Sequence, residues 1–312
     1  MRVVFMGTPD FAVPSLQKIV ESDLELVGIV TRPDKARGRG QQMQPTEVKA
    51  AAHNLGLDVP ILQPESLRSQ KFQADLRALG ADLFAVVAFL ILPKDVLAIP
   101  PMGSVNVHPS LLPKYRGAAP IQWAVISGES ETGVTIFRLS PRVDAGDMLI
   151  QERVAIGPDE TAGALYERLK GMGADLLVRA IEGMASGSVT PMAQSDEGVS
   201  RAPKLEKEDG RIDWSQGAEA IRNLIRGANP LPGAFTTLNG RVLKVHRATR
   251  VDRSGEPGQV LEASGKTGLC VAAGREALLL DEVQPPGKNR MSGGDFIRGY
   301  PIESGAFLGR TE

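Results

Sequence analysis

Gly103-Ser-Val-Asn-Val-His-Pro-Ser-Leu-Leu-Pro-Lys-Tyr-Arg-Gly117 reads as a short strand that runs out into a proline-braced loop. Its first half alternates, with Val105 and Val107 on one face and Asn106 and His108 on the other. Pro109 and Pro113 cannot donate to a strand ladder, so regular pairing ends just after His108. Two polar side chains therefore share a face at the mouth of a rigid loop. In an open α/β sheet the crevice beyond the strand ends is where ligands bind, so the flanking sequence decides what this stretch can do.

Residues 2–6 and 24–30 are apolar strands joined by a helical segment, a βαβ unit that predicts a parallel sheet. Between them, Gly7-Thr8-Pro9-Asp10 has helix-start chemistry, with Thr8 as the expected cap and Pro14 delaying the regular helix by a turn. No G-x-G-x-x-G follows the first strand, which removes the usual nicotinamide fingerprint. Residues 83–88 form an uninterrupted apolar run, the mark of a strand buried on both faces. Downstream, 132–139 and 148–154 read as strands flanking a turn-rich loop that carries Asp144 and Asp147, and 161–184 reads as a long helix. The pattern predicts an α/β fold, with a Rossmann-like, mostly parallel sheet domain over 1–189.

Residues 190–207 lack hydrophobic period and are expected to be a linker. Over 208–312 a helix with apolar Ile221, Leu224 and Ile225 is followed by short alternating strands with glycine turns, and Asn239-Gly240 is a hairpin signal. This spacing predicts a small OB-like β-barrel as the C-terminal domain.

The 312 residues are 42 % hydrophobic with a formal net charge of -1, and no apolar run is long enough to span a membrane. A cytoplasmic protein is expected. One cysteine, Cys270, excludes intramolecular disulfides and multi-cysteine metal sites. Residues 1–200 carry 19 basic and 23 acidic side chains, and 201–312 carry 17 and 14, so the C-terminal part is mildly basic. Residues 31–43 hold Arg32, Lys35, Arg37 and Arg39 with two glycines and no hydrophobic period. This reads as a mobile basic loop, either a solvated charge run or a phosphate-contacting segment.

Of three histidines, only His108 stands at a strand end beside another polar group of the same face. A buried structural histidine and a catalytic one both fit that placement; Asp144 favours the second, since the loop after the next strand can bring it to the same mouth. Asn106, His108 and Asp144 suit acyl transfer to an amine. An α-amino group, with a pKa of ~7.7–8.0, must lose a proton before or during attack. A histidine beside a carboxylate can accept it, and an amide such as Asn106 or a protonated imidazole can donate to the oxyanion that forms. No activated nucleophile is evident, so direct transfer is expected, and no metal cluster assembles from Asp144, Asp147 and His108.

Asn106-Val-His108 running into Pro109 through Gly117, with Val143-Asp144-Ala-Gly-Asp147 downstream, resembles the tetrahydrofolate-dependent formyltransferases. The opening Phe5-Met6-Gly7-Thr8-Pro9-Asp10, the basic loop through Gly38-Arg39-Gly40, and Ile225-Arg226-Gly227-Ala228-Asn229-Pro230 extend the resemblance over the whole chain. It implies a Rossmann-like catalytic domain that takes a formyl group from 10-formyltetrahydrofolate, without a metal, and a barrel that holds tRNA. Asn106, His108 and Asp144 would take the catalytic positions. Ser110, Leu111, Leu112 and Pro113 would line the folate side, and Lys35, Arg37 and Arg39 would meet the acceptor end of initiator methionyl-tRNA. A monomer is expected. The chain departs from the family pattern at residues 89–93, one residue short, and at Ser140-Pro141-Arg142, where an acidic, glycine-containing turn is usual. An amino sugar on a nucleotide is the alternative acceptor, and a non-catalytic RNA-binding barrel protein is the alternative outside this chemistry.

Overall fold

The computed structural model describes residues 1–37 and 41–310. By contact density the chain divides into two compact units, the first of Met1–Ala118, Thr132–Ala155 and Tyr166–Ala202, the second of Ala119–Glu131, Ile156–Leu165 and Pro203–Glu312. The segments 119–131 and 156–165 thus belong with the C-terminal part of the chain.

Seven strands build the sheet of the first unit: β1 (Arg2–Gly7), β2 (Glu25–Val30), β3 (Ile61–Leu62), β4 (Leu83–Val87), β5 (Ser104–His108), β6 (Glu131–Arg138) and β7 (Met148–Ala155). Their spatial order is β7-β6-β5-β4-β1-β2-β3. The pairs β1/β2, β1/β4, β2/β3 and β4/β5 are parallel, and β5/β6 is antiparallel. Every residue of β4 is buried, as its unbroken apolar run requires. On one face Val4, Met6, Phe84 and Val86 pack with Phe72, Leu76 and Val96 in a continuous core. Behind β5 runs the helix Ala162–Ser186, whose Gly173 approaches so closely that an added Cβ would lie 2.7 Å from Val107. Val107 thus faces the helix, and alternation leaves Asn106 and His108 on the other face.

Two local expectations are corrected. Thr8 does not cap the first helix: its hydroxyl is buried without a partner, a 3₁₀ turn spans Asp10–Ala12, and the α-helix begins at Val13 with Pro14 in its first turn. Pro9 itself stands at the N-cap of the 3₁₀ turn with extended backbone, so Thr8 lies one residue too early to cap it. The basic segment 31–43 is not featureless either, because Lys35–Arg37 pairs antiparallel with Gln42–Gln44. Ala36 opposes Met43, yet Met43 is 66 % exposed, so the ladder has no core-facing stripe for a hydrophobic pattern to reveal.

The second unit is antiparallel and strand-rich. Its strands β8 (Ala234–Leu238), β9 (Arg241–Val251), β10 (Val260–Ser264), β11 (Gly268–Ala272) and β12 (Ala277–Gln284) lie in the order β8-β9-β12-β11-β10, with β13 (Met291–Ser292) paired to β12. Asn239 (φ 48°) and Gly240 (φ 70°) both take the left-handed backbone that a tight hairpin needs. Ile221 and Ile225 of the helix Ala218–Gly227 join Trp214, Leu243, Val271, Leu280 and Phe296 in the core. Buried Arg226 donates to Asn223 (2.9 Å) and to the carbonyls of Gly157 (3.4 Å) and Glu160 (3.3 Å), which ties segment 156–165 to this unit.

Candidate active site

Asn106 and His108 reach the site because β5 ends there. Asn106 is half-buried and in register with Val86 of β4 and Phe137 of β6. His108 is only 4 % exposed, with the ring of Phe137 edge-on at 6.3 Å. Its Nε2 lies 2.9 Å from the carbonyl oxygen of Tyr115. A carbonyl can only accept, so Nε2 carries the proton and Nδ1 keeps its lone pair in the neutral ring. Nδ1 faces the Asp144 carboxylate at 3.8 Å.

Asp144 arrives by a different path from the one its place in sequence suggests. Because β6 runs antiparallel to β5, with His108 opposite Thr135 and Val105 opposite Arg138, β6 ends level with Val105 rather than at the strand's mouth. Residues 139–147 must fold back to bring the carboxylate to the imidazole, and they do so tightly. Asp144 adopts φ 49°, and a Cβ on Gly146 would stand 1.8 Å from the Arg138 carbonyl oxygen. The backbone N–H of Gly117 donates to Asp144 Oδ2 at 2.9 Å, fixing the carboxylate from the other side.

Burial pushes the His108 imidazole below the ordinary histidine range by penalising the charged form. The Asp144 carboxylate and the Tyr115 carbonyl pull it back up, while Arg116 adds to the lowering. At neutral pH the site therefore presents a neutral histidine with one free lone pair, next to a carboxylate ready to stabilise the imidazolium. That is the equipment of a general base.

The loop after β5 is nailed down by Ser110 together with two groups that the sequence did not single out, Thr135 and Gln151. Ser110 donates to the Lys114 carbonyl at 2.6 Å, and its own carbonyl accepts from Thr135 Oγ1 at 2.7 Å. Thr135 Oγ1 also accepts from Leu112 N (3.2 Å) and Gln151 Nε2 (2.9 Å), and Gln151 donates to the Leu112 carbonyl (3.0 Å). Ser110 and Leu112 are thereby turned into the protein, while Leu111 and Pro113 are half-buried. On neighbouring loops, Leu90, Ile91 and Val143 are apolar side chains 43 %, 75 % and 54 % exposed. Asp147 is exposed, as a turn acid should be. Among the described residues no group of three His, Cys, Asp or Glu side chains is placed to hold a metal ion, and no helix is long and apolar enough to cross a membrane.

Of the basic residues expected at an acceptor, Lys35 is exposed on its ladder, Arg37 ends the same strand, and Arg39 lies outside the described residues.

A formyl transferase family profile matches residues 1–181, and a profile described as formyl transferase, C-terminal domain, matches 204–301. A methionyl-tRNA formyltransferase of Citrifermentans bemidjiense is 44 % identical over 313 residues, covering 100 % of this chain and 98 % of its own. One from Pelotomaculum thermopropionicum is 48 % identical over 316 residues, covering 100 % and 99 %. The chain belongs to the methionyl-tRNA formyltransferase family. Its fold recurs in more distant structures. An N-formyltransferase from Helicobacter canadensis, solved with folinic acid and dTDP-3-aminofucose, superposes with a TM-score of 0.66 at 18 % identity over 89 % of this chain and 98 % of that one. HypX from Aquifex aeolicus, solved with tetrahydrofolic acid, gives 0.62 at 19 % identity over 100 % of this chain and 51 % of that one.

Thr135 and Gln151 thus brace the loop after β5. Thr135 had a sequence signal, a polar residue at a period-2 position inside an apolar strand. Gln151 had none, since its partners Thr135 and Leu112 lie 16 and 39 residues away.

Proposed function

We propose that the protein transfers a formyl group from 10-formyltetrahydrofolate to the α-amine of methionyl-tRNA, with Asn106, His108 and Asp144 as the catalytic set. The observation that carries this reading is the buried His108, its Nε2–H fixed by Tyr115 and its Nδ1 turned to Asp144. Nδ1 takes the proton that the attacking amine must shed, and the carboxylate at 3.8 Å stabilises the resulting imidazolium. A bond forms from the amine nitrogen to the formyl carbon and the bond to the donor nitrogen breaks. The proton held on Nδ1 can then pass to that leaving nitrogen, so charge and protons balance. The transient oxyanion is served by the Asn106 amide or by the protonated imidazole; removing a donor of this kind costs ~2.7–4 kcal/mol of barrier.

Exposed Leu90, Ile91 and Val143 fit a flat heterocycle that leaves water, which is what a folate donor presents. Ser110, Leu111, Leu112 and Pro113 form the loop on the donor side, with Leu111 and Pro113 available to it and the other two bracing behind. Lys35, Arg37 and Arg39 contact tRNA phosphates near the acceptor end, and residues 208–312, an OB-like barrel after a linker over 190–207, hold the tRNA backbone. The enzyme works as a cytoplasmic monomer. The test is acceptor choice: labelled formyl donor is offered with charged initiator tRNA and, separately, with an amino-sugar nucleotide, and the formylated product is identified.

A further inference from the structure

Residues 192–202, which the sequence places in a linker, form a strap along the site and touch both segments that face His108. Gln194 donates from Nε2 to the carbonyls of Asp144 (3.0 Å) and Gly146 (2.7 Å), and its Oε1 accepts from Nε and Nη2 of Arg116 (3.2 and 2.6 Å). The guanidinium can only donate, so the orientation of the Gln194 amide is fixed: oxygen to Arg116, nitrogen to the two carbonyls. Further along, Ser200 Oγ accepts from Tyr115 N at 2.8 Å, and Arg201–Ala202 pairs in parallel with Arg116–Gly117. That approach is close enough for a Cβ on Gly117 to fall 2.5 Å from the Ala202 carbonyl oxygen.

The two segments held in this way carry the partners of the imidazole. Tyr115 supplies the carbonyl on Nε2, and Asp144 supplies the carboxylate beside Nδ1. Asp144 also sits at φ 49°, a left-handed conformation that a non-glycine residue keeps only where its surroundings hold it. The bond from Gln194 to its carbonyl is one such hold, and the bond to Gly146 is a second on the same turn.

We propose that Gln194 is a positioning residue for formyl transfer: its two donated bonds keep the Asp144 turn folded back so that the carboxylate stays against His108. This rests on the proposed function. It adds a part of the chain, the strap before the second unit, that the catalytic set does not include.

The test uses the full chain with Gln194→Leu, which removes both halves of the amide, and Gln194→Glu, which keeps an acceptor for Arg116 but cannot donate to the carbonyls. Asp196→Asn, an exposed position on the same strap, is the control. With melting temperatures close to wild type, both Gln194 variants should lose ~10- to 100-fold in kcat, the loss that accompanies an ångström-scale misplacement, while KM for the folate changes little. The charged groups acting on His108 are Asp144, which raises its pKa, and Arg116, which lowers it; its ring also meets Phe137 and the Tyr115 carbonyl. With Asp144 released, the acid limb of the rate profile in Gln194→Leu should move to lower pH. Independently of turnover, the Gly117 amide, which donates to Asp144 Oδ2, should exchange faster with solvent in both variants. Unchanged kcat, acid limb and Gly117 exchange in Gln194→Glu and Gln194→Leu would overturn the proposal. A wild-type protein that formylates no methionyl-tRNA would sink the functional reading instead, and Gly117 exchange would still decide the strap.

Discussion

Replacing Asp144 by asparagine removes one negative charge from the site while keeping the side chain's shape and an oxygen for the Gly117 N–H. The carboxylate lies 3.8 Å from His108 Nδ1, and the side chains are 5 % (His108) and 13 % (Asp144) exposed, so the pair is little screened by solvent. At an effective dielectric of ~20, a unit charge at that distance is worth about 4 kcal/mol to an imidazolium, and each ~1.36 kcal/mol is a factor of ten in rate. If Nδ1 is substantially protonated in the transition state, Asp144→Asn should lower kcat by ~10²- to 10³-fold. KM for folate and for tRNA should change by less than ~3-fold, because the charge acts on a proton in flight and not on bound groups. The acid limb should move to lower pH, since the carboxylate is the main group raising the His108 pKa. The assay is steady-state formylation across pH with each substrate varied in turn. A variant within tenfold of wild-type kcat would refute the assignment of Asp144 as the partner of the base.

Because His108 is held below the ordinary value of 6.5, the wild-type rate profile should show an enzyme limb under pH 6.5, apart from the one the substrate amine contributes at ~7.7–8.0, and a profile with no limb under 6.5 would contradict a buried base. The same depression makes stability fall as pH drops: the native state favours neutral His108 and His246, the unfolded chain binds protons from about 6.5 downward, and the stability present above 6.5 is lost toward the lower native values. Gly146→Ala drives a Cβ to 1.8 Å from the Arg138 carbonyl, a clash of ~1–3 kcal/mol that the turn relieves by moving Asp144; kcat should fall more than ~10-fold with the fold retained by circular dichroism. Arg39→Ala should raise KM for tRNA, leave KM for folate unchanged and reduce the salt dependence of tRNA binding by ~1 in slope, and an unchanged tRNA dependence would remove the basic segment from the interface.

Much of this was legible in the chain. Period-2 alternation assigns Asn106 and His108 to one face, prolines end the strand behind them, and the unbroken run at 83–88 declares a doubly covered strand, because each of these signals is local. Asp144 was legible as a loop acid but its route was not. Sequence does not report that β6 pairs antiparallel with β5, and the fold-back of 139–147 depends on that direction. The braces were hidden for a related reason. Gln194 serves Asp144 from fifty residues away, in a segment held by hydrogen bonds to backbone groups and to the Arg116 side chain, which impose no hydrophobic period. The ladder of Lys35–Arg37 with Gln42–Gln44 escaped because Lys35, Ala36 and residues 42–44 are all exposed and so write no alternation.

The decisive measurement is the fate of a labelled formyl group when the purified protein is given the folate donor together with charged initiator tRNA and an amino-sugar nucleotide in competition. Label on the methionyl amine, lost in His108→Ala under conditions where the tRNA still binds, is the expected result. Label on the amino sugar, or full transfer by the His108 variant, would contradict the proposed acceptor or the proposed base respectively.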